Sequence, residues 1–215
     1  NATGTITVIA APVAGTLSGT STICVGSGST SFALSGYSGS IIRWEKRLAS
    51  SATWTTLANL VDNYSETPTL SDVGTWEFRA VLSNGSCSTV YSNAFSVVVN
   101  LASVGGTLSP ANTDVCSGTY YGSVMTLSGY TGNIIRWESS LDNFAGGTIT
   151  TIANTGNTQT IGTHTATTYY RAVVQSGTCS IAYSTVAKIT VFAGMPAPGG
   201  ISVDGSAAYP PTGQG

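Results

Sequence analysis

The chain repeats itself, and the length of the repeat limits what it can fold into. Ser35-Gly36-Tyr37-Ser38-Gly39-Ser40-Ile41-Ile42-Arg43-Trp44-Glu45 returns as Ser128-Gly129-Tyr130-Thr131-Gly132-Asn133-Ile134-Ile135-Arg136-Trp137-Glu138. Gly15-Thr16-Leu17-Ser18 returns as Gly106-Thr107-Leu108-Ser109, and Phe78-Arg79-Ala80-Val81 as Tyr170-Arg171-Ala172-Val173. Gly15 and Gly106 stand 91 residues apart, and Cys87 and Cys179 stand 92 apart. A solenoid turn takes about 20–50 residues, so this period is too long for a simple stacking unit. It suits a complete small domain, since an immunoglobulin-type sandwich takes about 100 residues. Four segments are therefore expected. Residues 1–11 read as the last strand of a preceding repeat, because Ile6-Thr7-Val8-Ile9 resembles Ile189-Thr190-Val191-Phe192. Residues 12–101 and 102–193 are the two repeats. Residues 194–215 read as the start of a following repeat or a flexible tail, with short extended linkers near 100–104 and 192–198.

Helical periodicity is absent. Short β-branched and aromatic runs are separated by Gly, Ser and Asn, which is the signature of strands and turns. The fold class expected is all-β, as tandem immunoglobulin-like β-sandwiches arranged end to end. Alternation assigns the faces. It predicts Ile42, Trp44, Phe78, Ala80 and Leu82 pointing inward, matched by Ile135, Trp137, Tyr170, Ala172 and Val174. Trp44 and Trp137 are the expected core anchors, since burying a large aromatic contributes about 2–3 kcal/mol. The opposite face carries Arg43, Glu45, Glu77 and Arg79, within reach of cross-strand pairing. Asn84-Gly85 predicts a two-residue hairpin between the last two strands.

Charged residues are only 7% of the chain, against about a quarter in an average domain. Hydroxyl and amide side chains make the surface polar instead. The net charge is −2 and the seven Lys and Arg are scattered. Nothing is present to neutralise a row of phosphates, so no nucleic-acid partner is expected. No apolar run reaches the roughly 20 residues of a membrane span, so the chain is not expected to be membrane-embedded.

Each copy holds two cysteines 63 residues apart, Cys24 with Cys87 and Cys116 with Cys179. Matched pairs in small domains read as disulfides and as an extracellular or cell-surface setting. Two pairings are open. Within-domain bonds, Cys24–Cys87 and Cys116–Cys179, are the expectation, with a small first strand carrying Cys24 up beside the hairpin. The alternative joins Cys24 to Cys179 across the junction and leaves the other two for further neighbours.

The stretches Cys24-Val25-Gly26-Ser27, Arg43-Trp44-Glu45 and Ala166-Thr167-Thr168-Tyr169-Tyr170-Arg171-Ala172-Val173-Val174-Gln175-Ser176-Gly177-Thr178-Cys179-Ser180 carry a resemblance. They resemble the tandem immunoglobulin-like repeats of large Bacteroidota cell-surface adhesins, the group that includes gliding-motility proteins exported by type IX secretion. The resemblance covers about residues 12–193 and implies a non-catalytic stalk or adhesive filament module. Its implied partners are neighbouring repeats, other surface proteins or surface polysaccharide.

Catalytic chemistry has little to work with. His164 is the sole histidine and sits in a predicted loop. No serine stands in a G-x-S-x-G elbow before a helix, and no Asp-rich calcium loop occurs. No cofactor is expected. The rival to the stalk is a carbohydrate-binding module that stacks sugars on Trp54, Trp76 or Tyr64. Copy two replaces Trp54 with Ile149 and Trp76 with Thr168, so the shared fold does not require them.

Overall fold

The computed structural model describes residues 4–192, so the segment expected at 194–215 lies outside them. Each repeat is a sandwich of two β-sheets. In the first repeat, β1 (Val13–Gly19), β3 (Phe32–Ser38) and β6 (Asn63–Tyr64) form one sheet in the order β1-β3-β6. The other contains β2 (Thr22–Cys24), β4 (Ser40–Leu48), β5 (Thr55–Leu57), β7 (Gly74–Ser83), β8 (Val90–Tyr91) and β9 (Phe95–Asn100). Its order is β2-β9-β7-β4-β5, with β8 added beside β7. All pairings are antiparallel except β2 with β9, which is parallel.

The second repeat uses the same plan. Its small sheet is β10 (Thr107–Ser109), β12 (Val124–Ser128) and β15 (Thr158–Thr160). Its large sheet is built from β11 (Asn112–Cys116), β13 (Asn133–Ser140), β14 (Ile149–Ile152), β16 (Thr168–Gln175), β17 (Ala182–Tyr183) and β18 (Ala187–Phe192). Here β11 is the parallel partner, lying beside β18.

The two sheets of each repeat close over one apolar cluster. Trp44 is fully buried among Leu17, Phe32, Phe78, Leu82 and Val97, and Trp137 among Leu108, Met125, Leu127, Ile161 and Ile189. A buried indole N–H needs an acceptor. Trp44 Nε1 donates to the Val61 carbonyl and Trp137 Nε1 to the Gly156 carbonyl, each at 2.9 Å. Phe32 and Phe78 pack at 4.6 Å between ring centres, tying one sheet to the other.

One predicted face is reversed. Ile41 and Ile134 are buried, while Ile42 and Ile135 face outward. A β-bulge lies between Ile41 and Arg43, and its counterpart between Ile134 and Arg136. The extra residue shifts the alternation by one, so Ile41 and Trp44 share the inner face despite their odd spacing.

The predicted tight hairpin also opens out. The Cys87 N–H closes a turn onto the Asn84 carbonyl at 3.0 Å, with Gly85 at φ +57°. Strand pairing resumes only at Val90, opposite Leu82. The chain after this turn forms two strands, β8 and β9, broken at Ser92. This buried serine takes over the interrupted ladder: its hydroxyl accepts the Ala80 N–H at 2.9 Å and donates to the Asn93 carbonyl. Ser184 does the same between Ala172 and Thr185. Residues 4–11, expected as a strand, pair with none.

Gly39 and Gly132 open β4 and β13 with φ of +96° and +112°. A Cβ on Gly132 would stand 2.6 Å from the Gln175 carbonyl, and one on Gly39 2.7 Å from that of Ser83. Gly132→Ala therefore meets both backbone strain, about 1–3 kcal/mol, and a main-chain clash. Thermal unfolding of the variant is expected to show a lower melting temperature for the second repeat. An unchanged transition would refute this reading of the turn.

Candidate functional site

The strand directions decide where the cysteines lie. In the first repeat β9 and β2 run in parallel to the far end, where Cys24 stands opposite Asn100. β7 runs the other way. Gly74 pairs with Val99 at the far end, and Ser83 pairs with Ser40 at the near end, just before the loop that holds Cys87. Cys24 and Cys87 are thus separated by nearly the full β7 strand, about 30 Å at 3.3 Å per residue. A disulfide needs Cα atoms within about 7 Å. The expected within-domain bonds are therefore corrected: the disulfide joins Cys24 to Cys179, with Cα atoms 5.7 Å apart, and Cys87 and Cys116 are free.

This bond closes the junction between the repeats. Cys24 comes from the far end of the first sandwich and Cys179 from the β16–β17 loop at the near end of the second. The connecting segment passes between them. The Leu101 carbonyl lies 3.4 Å from Cys179 Sγ, and the Ser176 N–H donates to Ser103 Oγ at 2.9 Å. Val104 and Thr131 exchange both main-chain hydrogen bonds, at 3.0 and 3.1 Å. Gly177 sits over the Asn100 side chain so closely that a Cβ there would stand 2.6 Å from Nδ2. The linker is thereby fixed to the second repeat by hydrogen bonds and to the first by covalent continuity, with the disulfide as a second tether.

A second recurring cluster lies on the outer face of each large sheet. Glu45 is 6% exposed and receives Arg43 Nε at 2.7 Å and Arg79 Nε at 2.8 Å. Burial opposes its ionisation, but the hydrogen bonds and charges of the two arginines outweigh it and hold the carboxyl below its ordinary value. The Arg79 guanidinium lies 3.9 Å from the Trp54 ring centre and 4.1 Å from that of Tyr91. In the second repeat Glu138 receives Arg136 and Arg171, each at 2.8 Å. Arg171 lies over Phe144 at 4.0 Å and Tyr183 at 3.8 Å. Glu77, expected near this group, pairs with Arg47 instead. The alignment of Trp54 with Ile149 concealed Phe144, which supplies the same stacking from a different loop. The recurrence of Tyr91-Ser92 as Tyr183-Ser184 was the available signal.

The candidate sugar platforms are engaged in packing. Trp54 is half-buried against Arg79 and Arg47. Trp76 donates its indole N–H to the Asp72 carbonyl at 2.7 Å and lies beneath Lys46. Tyr64 stacks on Phe32 and Trp44, and its hydroxyl donates to Glu66 at 2.7 Å, with burial pushing its ionisation up. His164 is half-buried against Tyr170, with Nε2 3.4 Å from the phenol oxygen, and burial lowers its pKa. It borders a groove of about 330 Å³ with Ser139, Ser140 and Thr150. Among the described residues no three His, Cys, Asp or Glu side chains converge to hold a metal, and no helix is long and apolar enough to cross a membrane.

Comparison with solved structures agrees with the architecture. The chain is similar to a three-immunoglobulin-domain structure of titin, domains I67–I69 in an E-to-A variant. That match has a TM-score of 0.50 and 13% identity, and covers 86% of this chain and 67% of that one. It is also similar to fibronectin(III)-like modules of Clostridium thermocellum CbhA, with TM-score 0.35, 15% identity and coverage of 86% and 93%. The FN1–FN3 domains of chicken CNTN1 match with TM-score 0.34, 14% identity and coverage of 86% and 68%. At these identities the likeness to titin shows the fold alone. No curated protein matches the chain. The family model described as Domain of unknown function (DUF8696) matches residues 13–101 and again residues 104–193. The chain belongs to this family and carries two consecutive copies of its domain.

Proposed function

We propose that the chain is a non-catalytic spacer, a segment of an extracellular stalk whose immunoglobulin-like repeats are fastened end to end. The observation that carries this is the Cys24–Cys179 bond. A short linker alone leaves two sandwiches free to swing about it. A second covalent tether a few ångströms away limits that swing, which is the property a spacer needs. A bond of this kind persists in an oxidising, extracellular setting. The sequence resemblance to Bacteroidota surface adhesins supports the finer reading: a stalk that holds a binding region away from the cell, in gliding or surface attachment. Its partners are then neighbouring repeats along the chain, with other surface proteins or polysaccharide engaged elsewhere. The aromatics considered for sugar binding are occupied by cations and by the core, which leaves the spacer as the better-supported reading.

Small-angle X-ray scattering before and after mild reduction tests this. The oxidised chain is expected to show a narrow distribution with a maximum dimension about twice that of one sandwich. Reduction is expected to broaden the distribution while circular dichroism keeps both repeats folded. A compact pair in both states, or a shape indifferent to reduction, would overturn the spacer.

A further inference from the structure

Cys87 and Cys116 are the free cysteines among the described residues, and they occupy the positions of the bonded pair. Beyond Cys24, the Val25 N–H donates to the Asn100 carbonyl at 2.9 Å; beyond Cys116, the Ser117 N–H donates to the Phe192 carbonyl at 2.9 Å. Cys179 closes a turn on Ser176 at 2.9 Å, and Cys87 closes the same turn on Asn84 at 3.0 Å.

The surroundings correspond too. Leu101 passes Cys179 with its carbonyl 3.4 Å from Sγ, and Ala10 passes Cys87 with its carbonyl 3.9 Å from Sγ. Asn100 lies under Gly177, and Ile9 lies against Gly85. Residues Ile9 and Ala10 therefore stand where Asn100 and Leu101 stand at the junction. Continued backward, the correspondence places Ile6 on Val97 and Val8 on Val99. Val97 and Val99 are core residues of the first repeat, whereas Ile6 is 91% exposed and Val8 90%. Residues 6–9 thus carry the core-facing pattern of a closing β9 strand, bare of the sandwich it would complete. That strand leads to Cys87 as β9 leads to the Cys24–Cys179 bond.

We propose that Cys87 and Cys116 are the open halves of two further junction disulfides, each formed with another repeat of the same family. The rule is that the first cysteine of one repeat bonds the second cysteine of the next. Cys87 then takes the first cysteine of the repeat completed by residues 6–9, and Cys116 takes the second cysteine of a repeat beyond Phe192. Every repeat is held by one bond at each end, so the staple runs without a gap along the array. Formation is thiol–disulfide exchange: one thiolate attacks an oxidant of the small-molecule disulfide class. The second thiolate resolves the mixed disulfide, and the oxidant leaves as two thiols. The inference rests on the spacer reading and specifies how it extends.

The test is a chain in which residues 12–102 are duplicated in tandem, refolded with a glutathione redox pair, then thiol-blocked and peptide-mapped. The expected new bond joins Cys24 of the first copy to Cys87 of the second. The Cys24–Cys179 bond at the original junction is the internal control. If the control forms and the new pair is alkylated, or Cys24 bonds Cys87 within one copy, the inference is overturned and the spacer stands. If the control also fails to form, both are overturned. A Cys87→Ser change confined to the second copy is expected to leave the first copy's Cys24 fully alkylated, with the control bond intact.

Discussion

Trp44→Ala is expected to destabilise the first repeat strongly and leave the second unaffected. Trp44 is among the largest fully buried side chains, and its repeat has a core separate from that of Trp137. Truncating a buried tryptophan costs about 3–5 kcal/mol, because the cavity adds to the lost transfer free energy. A domain of this size has about 5–13 kcal/mol in total at typical stability per residue. The substitution thus removes a large share of one repeat's stability and none of the other's. Calorimetry of the oxidised variant is expected to show two transitions where one repeat melts well below the other. Hydrogen exchange is expected to lose protection in β4 and β7 while β13 and β16 keep theirs. Trp137→Ala is expected to give the mirror result. Loss of protection in both repeats together would mean that the junction couples them into one folding unit.

The same tryptophans show which parts of the fold were legible in the chain. The period, the all-β character and the buried indoles depend on local composition and on repetition, and both are written in the sequence. The inward set failed at Ile42 and Ile135 because alternation assumes one residue per pleat. A bulge adds a residue without altering composition, and two adjacent isoleucines fit either register. The disulfide pairing failed for a topological reason. The identical 63-residue spacing in each copy pointed to bonds within copies. Spacing carries no strand direction, and the parallel β2–β9 pair is what sends Cys24 to the far end. The stacking role that Trp54 shares with Phe144 was hidden because its counterpart was sought at the aligned position. Phe144 reaches the equivalent arginine from a loop of different length, so the interaction recurs where the sequence does not.

Glu45→Gln is expected to destabilise the first repeat by about 2–4 kcal/mol, since breaking a buried ion pair leaves charge uncompensated. The figure lies below that for a wholly buried pair because the Arg43 and Arg79 side chains are 33% and 22% exposed. Glutamine keeps one acceptor oxygen but turns an amide toward a guanidinium that needs an acceptor. The contrast is Glu77→Gln. Glu77 and Arg47 are both part-exposed, at 22% and 28%, and a pair in which neither charge is shut away from water contributes less, about 0–1 kcal/mol. Chemical denaturation of the two variants is expected to separate them clearly. Acid gives an independent reading. The Glu45 carboxyl ionises at lower pH in the fold than in the unfolded chain. Its contribution is therefore complete above the ordinary carboxylate range and is lost as the pH falls through the folded value. Glu45→Gln is expected to flatten that acid limb for the first repeat. Concentrated salt shortens screening to about 3 Å yet acts weakly on contacts already closed to water. If Glu45→Gln and Glu77→Gln behaved alike, the cluster would be a surface ion pair and not a buried clamp. The recurrence of Arg-Trp-Glu in both copies would then need another cause.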